Sequence, residues 1–389
     1  MKKKYILLFL LFAFIKSYNS QVNLSVYSEV SLITAGPGAE LFEAFGHSAI
    51  RIKDPVLQID LIYNYGMFDF KAPNFYSNFT KGKLLYSLGR YNFEYFLESY
   101  KRDKRWVKQQ VLNLTQQEKQ LFFRYLENNA LPENATYSYD PYFNNCATKL
   151  RDITVSILGD KVIFIDENIE KNQSFRQLMN KEINWNTWGN FGINLALGSK
   201  LDQKATSEQY MYLPKYVYAI FKESQLFIRN QPENLILRED VLLDFEEQKQ
   251  EIAIFNPFLI FSILSFIGIF ITFSDYKKEK RSKWLDFTIL FTTGIAGILI
   301  VFLWFFTDHS TAPNNFNFLW AFAPNLIIAF LILKKNQQKW MKFYFIFSLV
   351  LLINIPILWI SEVQLFPVAV IPVLILLFIR YLFLSKKMK

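Results

Sequence analysis

The apolar positions of the chain follow two different patterns. From residue 255 to the C-terminus they form long, nearly unbroken runs, whereas before residue 255 they alternate with polar positions over short stretches. A run of about 20 apolar residues is long enough to cross a membrane as a helix. Five runs approach that length and predict five membrane spans, at 255–273, 285–306, 319–333, 343–360 and 366–384.

The part before residue 255 has the pattern of a mixed fold. Short segments of alternating apolar and polar residues predict β-strands. The sequence TQQE, which begins at Thr115, is a capping box and predicts the start of a helix. Strands and helices that follow one another in this way predict an α+β domain with an antiparallel sheet. The predicted strands cover residues 26–34, 48–53, 58–65, 83–90 and 105–114.

The chain divides into four predicted regions. A basic start, an apolar run and then small polar residues predict a secretory signal peptide at 1–20. Residues 21–175 form the predicted N-terminal folded domain, and residues 176–254 form an accessory connection. Residues 255–389 form the predicted membrane domain, an α-helical bundle of five spans.

Charge assigns the two sides of the predicted membrane. The chain carries 43 Lys and Arg against 34 Asp and Glu. Basic residues cluster in the signal segment, in the loops DYKKEKRSK and KKNQQKWMK, and in the final SKKMK. Because basic loops stay in the cytoplasm, we expect a cytoplasmic C-terminus and an N-terminal domain on the other side. The excess charge therefore reflects topology, and we expect no nucleic-acid partner.

Cys146 is the only cysteine of the chain, and it stands at the predicted start of a helix. Asn144 or Asn145 occupies the predicted N-cap position, where an amide side chain accepts from the first free N–H groups. The partial positive charge of that helix end favours thiolate over thiol. The sequence therefore indicates a nucleophile, and the alternative is a small buried apolar residue.

A thiol nucleophile needs a base that titrates near neutral pH, and histidine is the natural choice. The chain has two histidines. His47 stands at the entrance of a predicted strand, and His309 lies in a loop, TDHSTAPNNFNF, that faces the same side of the membrane. Within the N-terminal domain, a Cys–His pair must therefore join Cys146 to His47. A third side chain should orient the imidazole, and the candidates are Asn145, Asp60, Asp69 and Asp140.

The order of these residues resembles a known group of domains. A histidine before a strand, well ahead of the sequence NC at a helix start, is similar to a circularly permuted NlpC/P60-type papain-like domain, and the lecithin:retinol acyltransferase group shares this permutation. More closely, the sequence resembles the Bacteroidota family with an Lnb N-terminal periplasmic domain. The similar segments are AFGHSAIRI, IYNYGMFDF, FYSNFTKGKLLYSLG, QQVLNLTQQEK, YFNNCATKLRDI and the loop TDHSTAPNNFNFLWAFAPN.

This resemblance implies a lipoprotein N-acyltransferase of the bacterial inner membrane. The implied donor is a phospholipid, the implied acceptor is a diacylglyceryl lipoprotein, and no cofactor or metal is expected. Cys146 would carry the acyl chain as a thioester, with His47 as the base. Asn145 is the expected third catalytic residue, and the amides of Cys146 and Ala147 would form the oxyanion hole. The expected substrate-binding residues are His309, Arg51 and Arg151.

Two other classes of function fit the same residues. One is a membrane-tethered cysteine peptidase that cuts the cell wall, because soluble NlpC/P60 domains act on peptidoglycan stems. The other is a non-enzymatic membrane receptor or scaffold in which Cys146 is structural. For Arg51 and Arg151 the alternative is an ordinary surface ion pair, and for His309 it is a solvated loop position.

Overall fold

The structure is a computed structural model, and it describes residues 22–228, 231–248, 250–334 and 339–388. The predicted signal peptide at 1–20 lies outside the described residues. Within them, a mixed α/β domain lies against a bundle of long apolar helices. This arrangement agrees with the predicted α+β domain followed by a membrane domain.

A seven-stranded antiparallel sheet organises the N-terminal domain, and a separate three-stranded sheet packs on the same core. The large sheet has the spatial order β10-β5-β1-β2-β3-β4-β6, and the small one β7-β8-β9. The predicted hairpin between the second and third strands is present, with Ile50 opposite Tyr63. The strands are β1 (Glu29–Ala35), β2 (His47–Asp54), β3 (Ile59–Met67), β4 (Leu85–Asn92), β5 (Val107–Leu112), β6 (Thr136–Ser138), β7 (Val162–Ile163), β8 (Gln225–Ile228), β9 (Gln231–Asn234) and β10 (Ile236–Leu243).

The helices of this domain begin at side-chain caps in several places. The predicted capping box is present, since the Thr115 side chain accepts from the Glu118 N–H and the Glu118 carboxylate accepts from the Thr115 N–H. The helices are α1 (Phe75–Thr80), α2 (Phe93–Arg102), α3 (Gln116–Asn129), α4 (Cys146–Leu158), α5 (Phe175–Glu182), α6 (Trp188–Ala196), α7 (Ser207–Tyr210) and α8 (Pro214–Glu223).

Helix α4 packs against one face of β2 and β3. Its apolar residues Leu150 and Ile153 are buried in one core with Ile50 of β2. Val217 and Phe221 of α8 belong to the same core. Since β10 pairs with β5, the region after residue 175 adds a strand to the large sheet. The predicted boundary at 175 stays a prediction.

The membrane domain contains five helices among the described residues, of which four are long and apolar enough to cross a membrane. The third is much shorter, with only 7 residues. The run at 319–333, already the shortest of the five in the sequence, therefore contains only a short helix among the described residues, and the count of five spans stays a prediction. The five helices are α9 (Pro257–Lys277), α10 (Lys283–Phe305), α11 (Asn325–Leu331), α12 (Trp340–Ile360) and α13 (Ile371–Lys387).

The short helix α11 lies along only half of α10. A Cβ placed on Gly294, midway along α10, would be 2.3 Å from the backbone nitrogen of Leu326, so the two backbones are in close contact there. At the end of this segment the carbonyl oxygen of Leu333 accepts from Lys283 Nζ at 3.2 Å. The chain before α11 is irregular, and such backbone is tolerated at membrane depth where protein surrounds it.

A buried polar network holds that irregular segment against the N-terminal domain. Arg176 is fully buried and donates to Asn194 Oδ1 at 2.9 Å. Asn317 Nδ2 donates to the Asn194 carbonyl at 3.0 Å, and Asn315 Nδ2 donates to the Leu195 carbonyl at 2.7 Å. Removal of such a partner would leave a buried polar group without a hydrogen bond, which lowers the stability of the fold. This network explains why the chain before α11 bonds to α6 and does not continue as a helix.

At the opposite end of the bundle, a buried cation ties three spans together. Arg380 of α13 is fully buried and forms ion pairs with Asp286 of α10 at 2.7 Å and with Asp275 of α9 at 2.8 Å. A buried charge needs such partners, because its desolvation is costly. The cluster therefore fixes how α9, α10 and α13 pack.

Candidate active site

His47 is the first residue of β2, at the sheet end where α4 begins. The preceding Gly46 has φ of +74°, a left-handed conformation that favours glycine. A Cβ on Gly46 would lie 2.8 Å from the carbonyl oxygen of Ala35, so only glycine lets the two chains approach. The sequence GH therefore sets the position of the imidazole through its backbone.

Asn145 sets the position of the thiol. Its side-chain Oδ1 accepts from the N–H groups of Ala147 and Thr148, each at 2.9 Å, and so caps α4. Its Nδ2 donates to the carbonyl oxygens of Pro141 at 2.7 Å and Tyr212 at 2.8 Å. Both polar atoms of the amide are thus bonded to backbone groups. The prediction that Asn145 orients the histidine is corrected, because its side chain bonds to the helix start and to the carbonyls of Pro141 and Tyr212.

Cys146 and His47 line the same cavity, and each shifts the pKa of the other. Burial opposes ionisation of the thiol, but the nearby His47 charge, the hydrogen bond from its ring and backbone N–H groups together lower the pKa of Cys146. Burial also opposes charging of the imidazole, but Cys146 and Asn64 raise the pKa of His47 above its ordinary value. These opposite directions favour a thiolate–imidazolium pair, the reactive form of a cysteine nucleophile.

The residue that orients His47 is Asn64 of β3. Asn64 Oδ1 lies 2.6 Å from His47 Nε2, and Asn64 Nδ2 donates to the Tyr91 hydroxyl at 2.9 Å. Because the amide nitrogen is used by Tyr91, the oxygen is the group that faces the ring, and it accepts from Nε2–H. The other ring nitrogen is left for the Cys146 thiol. The site is therefore a Cys–His–Asn arrangement.

None of the other predicted orienting groups contacts His47. Asp60 accepts from Arg51, Asp69 accepts from the Lys71 N–H, and Asp140 accepts from the N–H groups of Tyr142 and Phe143. The register of the hairpin is the feature that could have identified Asn64 as the orienting residue. Since Ile50 is opposite Tyr63, Asn64 falls on the same face of the sheet as His47, one diagonal step away.

A cavity of about 1290 Å³ opens onto both Cys146 and His47. Cys146 is only 9% exposed, so this cavity is its route of access. Leu303, in the last turn of α10, lines the same cavity. The space therefore extends from the thiol to the end of a membrane-spanning helix. Aromatic rings make up much of its wall, namely those of Phe42, Phe45, Phe68, Phe70, Phe75, Phe79, Tyr86, Tyr100, Tyr139, Tyr142 and Tyr212.

Of the three predicted substrate-binding residues, only His309 lines this cavity. Arg51 lies four residues along β2 from His47. Its guanidinium pairs with Asp60 at 2.7 Å and lies 3.8 Å from the centre of the Phe93 ring. Arg151 is held by Asp152 at 2.7 Å. The predictions for both arginines are corrected, because local ion pairs occupy them outside the cavity.

The fold and the site together define a class of protein: a membrane protein whose mixed α/β domain carries a buried Cys–His–Asn site that opens toward its spans. Residues 14–164 match the family model of the Lnb N-terminal periplasmic domain, and residues 247–389 match that of the Lnb transmembrane domain. The chain therefore belongs to the Lnb family. Searches of curated proteins and of solved structures gave no significant match.

Family membership confirms the resemblance found in the sequence. It also identifies the N-terminal domain as periplasmic and the C-terminal part as a membrane domain. The site therefore faces the periplasm, at the end of α10 where Leu303 lines the cavity.

Proposed function

We propose that the protein is a lipoprotein N-acyltransferase that moves an acyl chain from a phospholipid to the N-terminal amine of a diacylglyceryl lipoprotein. The observation that carries this proposal is the cavity, which joins an ionisable Cys–His pair to the end of a membrane span. Both substrates are two-tailed lipids, so a site for them needs an apolar path from the membrane. Membership of the Lnb family is consistent with an enzyme that acts on lipoproteins in the membrane.

In the first half-reaction, the Cys146 thiolate attacks the carbonyl carbon of a phospholipid acyl ester. The ester C–O bond breaks, and the His47 imidazolium gives its proton to the departing glycerol oxygen. The products are a thioester on Cys146 and a lysophospholipid. Asn64 holds the ring in place while its charge changes, because its oxygen accepts from Nε2–H in both states.

In the second half-reaction, the free amine of the lipoprotein attacks the thioester carbonyl. His47, now neutral, takes the proton of the amine, the C–S bond breaks, and the thiolate is restored. The oxyanion of each tetrahedral intermediate needs N–H donors. Of the two predicted amides, that of Ala147 already donates to Asn145 Oδ1, so the Cys146 amide at the helix start is the better candidate.

The apolar wall of the cavity is suited to acyl chains. In this proposal they enter at the end of the cavity near the membrane and reach the thiol from there. Leu303 belongs to a spanning helix, and His309 follows in the loop beyond it. We assign His309 to positioning of the substrate near the bilayer surface. In this proposal the C-terminus is cytoplasmic and the membrane is the bacterial inner membrane, as the basic loops predict.

The test is the acylation state of lipoproteins in cells that depend on this protein. With Cys146→Ser or His47→Ala, mass spectrometry of N-terminal lipopeptides should show two acyl chains where the unaltered protein gives three. Arg151→Gln is a matched control, because Arg151 lies outside the cavity, and it should keep three chains. Unchanged lipopeptides in the Cys146→Ser cells would refute the proposal. Altered muropeptides in the same cells would point to the peptidase, and no change in either to a receptor.

A further inference from the structure

The loop between β3 and β4 carries an unusual amount of exposed aromatic surface. This loop, residues 68–84, contains α1, none of whose residues is buried, and we name it the aromatic strap. Tyr76 is 70% exposed, Phe70 50% and Phe79 49%. A contiguous apolar patch on a protein surface marks a place that meets an apolar partner.

The aromatic strap has an inner side as well as an outer one. Phe68, Phe70, Phe75 and Phe79 line the cavity that holds the thiol, whereas Tyr76 does not. The rings of Phe68 and Phe75 are 5.9 Å apart and those of Phe75 and Phe79 are 6.1 Å apart, so they form a continuous row. The strap therefore presents phenylalanine rings to the cavity and the exposed ring of Tyr76 to its surroundings.

The aromatic strap lies at the end of a membrane-spanning helix. The backbone N–H of Asp308 donates to the Lys81 carbonyl at 2.8 Å, and a Cβ on Gly82 would lie only 2.5 Å from the nitrogen of His309. Helix α10 ends just before this contact, at Phe305, which is itself 64% exposed. The exposed rings of the strap thus continue the apolar surface of the span.

Charge on the aromatic strap fits one partner in particular. Lys71, Lys81 and Lys83 are exposed on it, against the exposed Asp69. Lysines next to aromatic rings are typical of segments that lie in the headgroup region, where the rings meet acyl chains and the lysines meet phosphates. We propose that the aromatic strap inserts into the periplasmic leaflet of the phospholipid bilayer.

Insertion would give the cavity a direct connection to lipid. The same strap that places Tyr76 in the leaflet also forms a wall of the space beside Cys146, so an acyl chain could pass around it without crossing water. This use of the strap as an entry route rests on the proposed acyl transfer. The insertion itself does not, and it can be measured on a protein with no active thiol.

The test places a nitroxide label on the strap of the full chain. Because Cys146 is the only cysteine, Tyr76→Cys in a Cys146→Ser background gives a single labelling site. The matched control is Val56→Cys in the same background, since Val56 is 60% exposed and lies beyond the far end of β2 from His47. Each labelled protein is reconstituted in vesicles of phosphatidylethanolamine and phosphatidylglycerol. Electron paramagnetic resonance then measures collisions of the label with oxygen and with a water-soluble nickel chelate.

A label at residue 76 should collide often with oxygen and rarely with nickel, because oxygen concentrates in the bilayer and the chelate stays in water. The label at residue 56 should show the reverse. Equal nickel collisions at the two positions would overturn the proposal. Since both labelled proteins carry Cys146→Ser, the experiment does not measure acyl transfer. The acyl-transfer proposal is tested separately by the lipopeptide measurement.

Discussion

Replacement of Asn64 by alanine tests the arrangement around His47 most sharply. The change removes the oxygen that lies 2.6 Å from His47 Nε2 and leaves the rest of the hairpin in place. A hydrogen bond to a charged group contributes about 1.5 to 3 kcal/mol. Since about 1.4 kcal/mol corresponds to a tenfold change in rate, we expect formation of the Cys146 thioester to slow by about tenfold to about 150-fold.

The pH profile separates this role from a structural one. The contact with Asn64 helps to raise the pKa of His47, so its loss should lower that pKa. The imidazolium would then disappear at lower pH, and the alkaline limb of the rate profile should move toward acid in Asn64→Ala. In Asn64→Asp the new negative charge should move the same limb toward alkali.

The assay is single-turnover thioester formation with phospholipid vesicles, measured across the pH range. Asn134→Ala is the control, because Asn134 is exposed, donates to the Asn128 carbonyl at 2.9 Å and does not line the cavity. It should leave rate and profile unchanged. If Asn64→Ala gave the control's rate and an unshifted alkaline limb, the assignment of Asn64 as the orienting residue would be refuted.

The same structure makes four further predictions. The rate of alkylation of the thiol by iodoacetamide should stay high at pH values below the ordinary range of a cysteine, because the pKa of Cys146 is lowered, and His47→Ala should move the onset of reaction to higher pH. Acyl transfer should fall on both sides of neutral, on the acid side as Cys146 takes up its proton and on the alkaline side as His47 loses its proton above its raised pKa. Loss of the cap in Asn145→Ala should lower the free energy of unfolding by about 0.5 to 2 kcal/mol, measurable by denaturation in detergent, and should slow alkylation as the helix start loosens. Arg380→Met removes the cation of Asp275 and one of the two cations of Asp286, whose other partner is Arg281 at 3.2 Å. Stability should therefore fall, by at most about 3 to 5 kcal/mol, whereas an unchanged stability would contradict the role of this cluster.

Local patterns in the sequence predicted much of the site. The cap at Asn145, the helix after Cys146 and the hairpin that begins at His47 each depend on neighbours close in the chain, and each is present. The pairing of Cys146 with His47 followed from counting, because the N-terminal domain offers no other cysteine or histidine.

Contacts between distant segments could not be predicted in the same way. β10 pairs with β5 across more than a hundred residues of sequence, and only the folded sheet shows that the two strands meet. The run at 319–333 is apolar enough for a span, but buried amides such as Asn317, bonded to the Asn194 carbonyl, hold its start in an irregular form. The role of Asn64 depended on extending the register of the hairpin by one diagonal step.

Whether Cys146 carries an acyl chain is the most direct question about this protein. The purified full chain is incubated with phospholipid vesicles that contain one known acyl chain and no lipoprotein. The protein is then digested, and the masses of its peptides are measured by mass spectrometry. We predict that the peptide containing Cys146 gains the mass of that chain, that neutral hydroxylamine removes it, and that Cys146→Ser shows no such gain. An unmodified Cys146 peptide under conditions in which the protein restores three acyl chains to lipoproteins would contradict the thioester account.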